Sequence, residues 1–490
     1  MVYLACVIAY LILLAGIALW KFREVKDHSD FAVAGRSLSP WMMVCTMLAV
    51  WIGTGSIVGN AEQTYETGMA AMLLPIGTLA GMALLSLIAS RVRNVEANTV
   101  PEIIARRFGP VARNLSLLSL VIAYMVIVSY QFNAGGAVLE VIVGDKTILD
   151  APTATMIAAA FIISYAALAG LMSLAWMDLV TGSIIMLTMV IAFPIYWFKA
   201  GGWSGIEAGF FADGRASHMS LSGVYSPTQL VNYILPVFLL VLGDANQYQR
   251  IFASRTAKGA KTAVNMMIVI AFAVELLIIA CAWIASSLTP DPEHGRYILI
   301  YAARHYLALP LGCLFMVTVV AIIISTADSF LHVPATSIVN DLYLPYINPG
   351  ASQKRIVRVN RLLVVVFGVI AYVVTFLFSE STGFFQKALY AFTIYGACIT
   401  PSLVAALVWE RATKQGAIAS ICCGAVVTLA WNELGFVRDI LPASFADLDA
   451  VLPAITLSVT MLVIVSLITR PSDDCPATDS QQSREPVNNA

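Results

Sequence analysis

Charge is sparse in this chain. Asp, Glu, Lys and Arg make up 12% of its 490 residues, about half the share of an ordinary soluble domain. With five histidines and a net charge of −1, it has no basic excess of the kind that marks nucleic-acid binding. The eight cysteines, at 6, 45, 281, 313, 398, 422, 423 and 475, fall mostly inside apolar runs without metal-type spacing. They read as packing residues, not as disulfide or zinc partners. No nucleophile-base-orienter set, phosphate loop or metal cluster is present, so the chain is not expected to be an enzyme or to hold a cofactor.

Apolar residues dominate instead: 59% of the chain is hydrophobic and the mean hydropathy is +0.83. Apolar runs repeatedly reach the roughly 20 residues with which a helix crosses a bilayer, and runs of that length predict helices, not a barrel. Thirteen spans are expected: 2–20, 40–60, 69–90, 114–143, 153–171, 174–199, 228–249, 260–288, 309–340, 357–379, 385–409, 416–434 and 450–469. No basic residue precedes the first, while Lys21, Arg23 and Lys26 follow it, which reads as an anchor and not a cleaved signal.

With the N-terminus outside and the C-terminus in the cytoplasm, 21 of the 28 Lys and Arg residues, Arg250 among them, fall in cytoplasmic loops. The other seven, Lys146, Lys199, Arg215, Arg296, Arg304, Lys387 and Arg438, fall outside. The asymmetry predicts a multi-pass protein of the inner (plasma) membrane. Short surface helices are expected within 200–227 and 289–308 and at 101–108, and the polar tail 471–490 is expected to be disordered.

Four places put polar atoms at membrane depth. Trp51-Ile52-Gly53-Thr54-Gly55-Ser56 in the second span and Gly243-Asp244-Ala245-Asn246-Gln247 in the seventh predict interrupted helices, at corresponding positions if spans 2–6 and 7–11 are inverted halves. In the ninth span Ser325, Asp328 and Ser329 share a helical face and offer the oxygens a hard cation wants. Asp178 lies in the sixth span, and Glu275 is a further acid in a plainer setting. An ionisable group in a span costs about 2.5–3.5 kcal/mol on insertion scales and marks function by default. Asp178 and Asp328, if close, would share a proton or enclose a cation.

Ala34-Gly35-Arg36-Ser37-Leu38 resembles a landmark of the sodium:solute symporter family. Thr99-Val100-Pro101-Glu102, Arg107-Phe108-Gly109, Gly170-Leu171, Trp176-Met177-Asp178, Gln249-Arg250 and the run from Thr413 through Lys414-Gln415-Gly416 to Ala417 follow in that family's order. The resemblance covers residues 5–470. It implies an all-α integral membrane protein with a ten-helix LeuT-type core in a 5+5 inverted repeat. The divisions would be an extra helix and loop (1–27), the core (28–410), two C-terminal helices (411–470) and the tail (471–490).

By that resemblance, sodium would be held by Ala49, Ile52 and Ile322 carbonyls with Ser325 and Thr326 hydroxyls. A second cation or a proton would sit at Asp178, Asp328 and Ser329, where Asp328 stands in place of a small hydroxyl residue. Solute would lie among Trp51, Gly53, Ser56, Gln131, Asn133, Asn246 and Gln247. Trp51 replaces an aspartate of the proline carriers, which points away from proline, and the fourth span lacks the fixed cation seen for an acidic sugar.

The expected function is sodium-coupled uptake of a small polar neutral or zwitterionic solute. Proton coupling and a transporter-like membrane sensor are the alternatives, and the short tail argues against the sensor. A channel would need a continuous pore, which paired helix breaks do not suit. The partners expected are the solute, sodium and the lipid bilayer, with no nucleic acid and no obligate protein partner.

Overall fold

The computed structural model describes residues 2–21, 32–143, 149–168, 171–377, 382–434 and 448–470. Arg23, Lys26, Lys146, Gly170, Arg438 and the tail 471–490 lie outside the described residues. Within them the chain is helical, and the single β-bridge joins Leu38 to Ser254.

The helices are α1 (Val2–Lys21), α2 (Pro40–Trp51), α3 (Asn60–Thr67), α4 (Ile76–Asn94), α5 (Val100–Val143), α6 (Ala151–Leu168), α7 (Leu171–Lys199), α8 (Gly202–Ala212), α9 (Pro227–Gly243) and α10 (Ala245–Phe252). Then follow α11 (Ala257–Ser287), α12 (Ile298–Tyr306), α13 (Leu309–Ile338), α14 (Gln353–Val374), α15 (Phe384–Cys398), α16 (Thr400–Val408), α17 (Lys414–Glu433) and α18 (Val451–Ile468). Among the described residues, eleven helices are long and apolar enough to cross a membrane. The bent pair Pro40–Trp51 and Gly55–Leu73 makes a twelfth, and Val2–Gly16 is a shorter apolar helix. Their outer faces carry exposed Leu87, Leu118, Val190, Val269 and Leu362, an apolar surface suited to lipid.

Local chemistry sets the ends. Ser39 caps α2 by accepting from the Met42 amide, with Pro40 in the first turn. Ser226 and Gln229 form a reciprocal capping box ahead of α9. Thr256 and Thr413 cap α11 and α17. The surface segments expected at 200–227 and 289–308 contain α8 and α12. The arm at 101–108 runs into its span and not into a loop, but Gly109 (φ 82°, ψ −177°) followed by Pro110 breaks the helix between them.

Two long spans are interrupted at their centres. The second bends by 57° between Trp51 and Gly55, with Ile52 outside helical geometry (ψ 87°) and a wide turn at Gly55–Gly59 leading into α3. The seventh breaks at Asp244 (ψ 116°), whose carboxylate caps α10 through the Asn246 amide. Tyr395 of α15 bridges this break. Its hydroxyl donates to the Gly243 carbonyl (2.8 Å) and accepts from the Ala245 amide (3.0 Å).

One expectation is corrected by the fold. Arg250 is not a loop charge: it lies in the last turn of α10 with its side chain 0% exposed.

Gly243 lies so close to Thr400 that an added Cβ would collide with its Oγ1. Gly243→Val should therefore destabilise the purified protein by about 1–3 kcal/mol through overpacking, read as a lowered melting temperature in detergent. Gly16→Val should leave it unchanged, because nothing lies within 4 Å of that Cβ position.

Candidate functional site

The break in the second span frees a carbonyl. In an unbroken helix the Ala49 oxygen would accept from the amide four residues on, but the Gly53 amide bonds to the Trp51 oxygen at 3.0 Å instead. Two hydroxyls of α13 face the Ala49 oxygen, Ser325 Oγ and Thr326 Oγ1, each at 3.4 Å. A serine hydroxyl has one proton to give, and Ser325 has a closer acceptor for it in Asp178 Oδ1 at 2.5 Å. Its lone pairs are thereby left toward Ala49. Ile52 and Ile322 are fully buried on the same two spans.

Below this group, four spans meet at Asp178 of α7. Thr46 of α2 donates to its Oδ2 at 2.5 Å, and the Arg250 guanidinium stands 3.6 Å from that oxygen with both side chains 1% exposed or less. Arg250 also donates to Ser329 Oγ of α13 (2.7 Å) and to Asn246 Oδ1 (3.2 Å). The charge at Asp178 is therefore already met by a fixed cation. Asp328 is fully buried and neither carboxylate oxygen accepts a hydrogen bond among the described residues; His332 Nε2 lies 3.4 Å from its Oδ1.

On the other side of the break lies a cavity of about 50 Å³, lined by Trp51, Gly53, Ser56, Gln131, Glu275 and Thr326 together with the rings of Tyr130, Phe330 and Phe392. Gly53 is in its wall because a Cβ there would stand 2.9 Å from Thr326 Cγ2 and 3.2 Å from Gln131 Nε2. Gln131 also accepts a hydrogen bond from the Thr54 hydroxyl. Tyr233 and Leu389 border both this cavity and a larger one of about 1060 Å³ that reaches Asn432 and Asp449. The Tyr233 ring is held edge-on against Phe385, 5.1 Å between centroids.

Of the seven solute-site expectations, Trp51, Gly53, Ser56 and Gln131 line this cavity, and Asn133, Asn246 and Gln247 are not among its lining residues. Asn246 lies against Arg250, while Gln247 donates to the Met47 carbonyl at 3.4 Å. Sequence reasoning missed Arg250, Thr46, Thr78 and Tyr130 and gave Glu275 little weight. Glu275 carried a signal, since it is an acid inside an apolar run. Arg250 was hidden by its place at the end of a span, where basic residues usually belong to loops.

The model of the sodium:solute symporter family matches residues 31–424. The high-affinity proline transporter PutP of Bacillus subtilis is 26% identical over 89% of this chain and 94% of its own. The sodium/glucose cotransporter of Vibrio parahaemolyticus is 23% identical over 95% and 90%. Among solved structures, a Na+-coupled sialic acid symporter in a substrate-bound outward-open state superposes with a TM-score of 0.80 at 16% identity, covering 96% of this chain and 98% of that one.

Arg250→Met keeps the side-chain stem but strands the Asp178 carboxylate, and removing one partner of a buried pair costs about 3–5 kcal/mol. Adding Asp178→Asn to that variant should recover much of the loss. Melting curves of both single variants and the double variant form the cycle that checks this. Additive losses would mean that the two groups do not interact.

Proposed function

Because this chain belongs to the sodium:solute symporter family, we propose that it carries a small polar, neutral or zwitterionic solute into the cell with sodium by alternating access. Counting α1, the reading takes thirteen spans, with the N-terminus outside and the C-terminus in the cytoplasm of a cell bounded by its plasma membrane. Spans 2–6 and 7–11 form the inverted repeat within a core at 28–410. Central breaks in the second and seventh spans support this assignment.

The observation that carries the proposal is the oxygen cluster formed by the Ala49 carbonyl and the Ser325 and Thr326 hydroxyls. A cation bound to oxygens at about 2.3–2.6 Å, the range Ca²⁺ takes, sets neighbouring ligands at right angles roughly 3.3–3.7 Å apart. The two separations of 3.4 Å suit such an ion. Ile52 and Ile322 carbonyls complete the set. Sodium is cargo here, and one ion descending about 100 mV supplies roughly 2.3 kcal/mol.

A second sodium at Asp178 and Ser329 would have to share them with Arg250, which supports a single-sodium stoichiometry. Asp328 is the group a coupling proton would use in the alternative reading, and its unbonded carboxylate oxygens favour keeping that alternative in the test. Solute is assigned to the cavity at Trp51, Gly53, Ser56 and Gln131. Relatives named for proline support a small amino-acid-like solute.

Ser325→Ala and Thr326→Ala should each raise the sodium concentration needed for half-maximal uptake of labelled proline or glycine betaine into proteoliposomes by about tenfold or more. The Ser458→Ala control, in α18, should leave it unaltered. Uptake that ignores sodium and follows an imposed proton gradient would replace this reading with proton coupling.

A further inference from the structure

We infer that Glu275 is the counter-ion of a positively charged nitrogen on the transported solute, so that the cavity selects ammonium compounds. This rests on the reading of the cavity beside the second-span break as the solute site. Glu275 projects from α11 into that cavity and is 3% exposed. Its Oε1 accepts from the Trp51 indole N–H at 2.8 Å and from the Thr78 hydroxyl at 3.1 Å. Both neighbours are neutral, and the indole can only donate.

Oε2 has no hydrogen-bond partner among the described residues, and no Lys, Arg or His forms an ion pair with this carboxylate among them. A buried carboxylate with one bare oxygen is unfavourable unless something meets it. A protonated acid would not remove the difficulty, since the added O–H would then need an acceptor at that position. An ammonium N–H answers both the charge and the free oxygen, and a quaternary nitrogen answers the charge. The walls fit the same chemistry: Trp51, Tyr130, Phe330 and Phe392 line the cavity, and aromatic faces attract desolvated cations. An anionic group placed against Glu275 would be repelled, and a neutral sugar would leave the charge unmatched.

The test is calorimetric titration of the purified protein in sodium chloride with proline, glycine betaine and choline. Beside them run analogues whose nitrogen is replaced by carbon: cyclopentanecarboxylate for proline and the tert-butyl analogues for glycine betaine and choline. At least one ammonium solute should bind and its carbon analogue should bind at least about tenfold more weakly. Glu275→Gln should weaken the ammonium solute by a similar factor, and Glu275→Asp should retain more affinity than Glu275→Gln.

Sodium-dependent melting without solute is recorded for every variant, which shows that each is folded and tests the ion site separately. Failure of sodium to stabilise the wild type would overturn the symport reading. Intact sodium dependence with equal binding of carbon analogues, with unaltered binding by Glu275→Gln, or with no binding by any ammonium solute would overturn the inference alone. Were Glu275→Gln to misfold, the wild-type comparison of each solute with its carbon analogue would still decide.

Discussion

A backbone amide or carbonyl left without a partner in hydrocarbon costs several kcal/mol, and the two central helix breaks answer that constraint in opposite ways. At Gly243–Ala245 the loose ends are tied by one side chain, the Tyr395 hydroxyl bonded to both sides of the gap. Tyr124 adds a 2.5 Å bond to the Asp244 carboxylate that caps the outgoing half-helix. At Trp51–Gly55 the diverted Gly53 amide leaves the Ala49 carbonyl facing two hydroxyls at 3.4 Å. One break is closed by protein, and the other keeps an oxygen available. The asymmetry explains why polar groups gather around the second span.

Arg250 and Asp178 give the inner side of this site its rigidity. A buried ion pair is weak evidence for stability when compared with an apolar replacement, so its value lies in what it fixes. The carboxylate accepts hydrogen bonds from Thr46 and Ser325 while the guanidinium reaches Ser329 and Asn246. Spans 2, 6, 7 and 9 are thus held in register by one charge pair. Because Asp178 accepts the Ser325 hydrogen bond, the pair also orients the hydroxyl that faces Ala49. Ser325 is therefore oriented from behind by a group that would not need to touch an ion held at Ala49.

The all-helical, many-span character was legible from apolar run lengths, because a bilayer admits only structures that satisfy their own backbone and runs of that length suit helices. The breaks were legible too, since Gly53, Gly55 and Gly243 with flanking polar residues are poor material for an uninterrupted span. What the linear pattern could not carry was partnership. Arg250 reads as a loop charge in sequence and is buried in the fold, because the seventh span breaks and its second half turns the arginine toward Asp178. Glu275 has no polar neighbour within its own helix turn. Its partners Trp51 and Thr78 come from spans 2 and 3, and only the packing of α11 against them puts a carboxylate in the cavity wall. Asn246 and Gln247 carry the right chemistry for a solute but are not among the cavity's lining residues: the Asn246 oxygen accepts from Arg250 and the Gln247 nitrogen donates to Met47.

The cavity and the oxygen cluster proposed to hold the ion share a residue, and that sharing is how coupling would arise. Thr326 Oγ1 stands 3.4 Å from the Ala49 oxygen, while the same side chain lines the cavity and packs against Gly53. Ala49 belongs to α2 and Thr326 to α13, so oxygens from both can meet one cation only when the two spans hold this separation. An ion favours that arrangement because it binds others less well, and a ligand indifferent to the two states would shift nothing. Solute filling the cavity would press on the same Gly53–Thr326 contact. On the proposed reading each ligand would thereby stabilise the geometry the other requires, and linkage would make the effect equal in both directions. No longer-range pathway is needed, since one threonine side chain belongs to both sites.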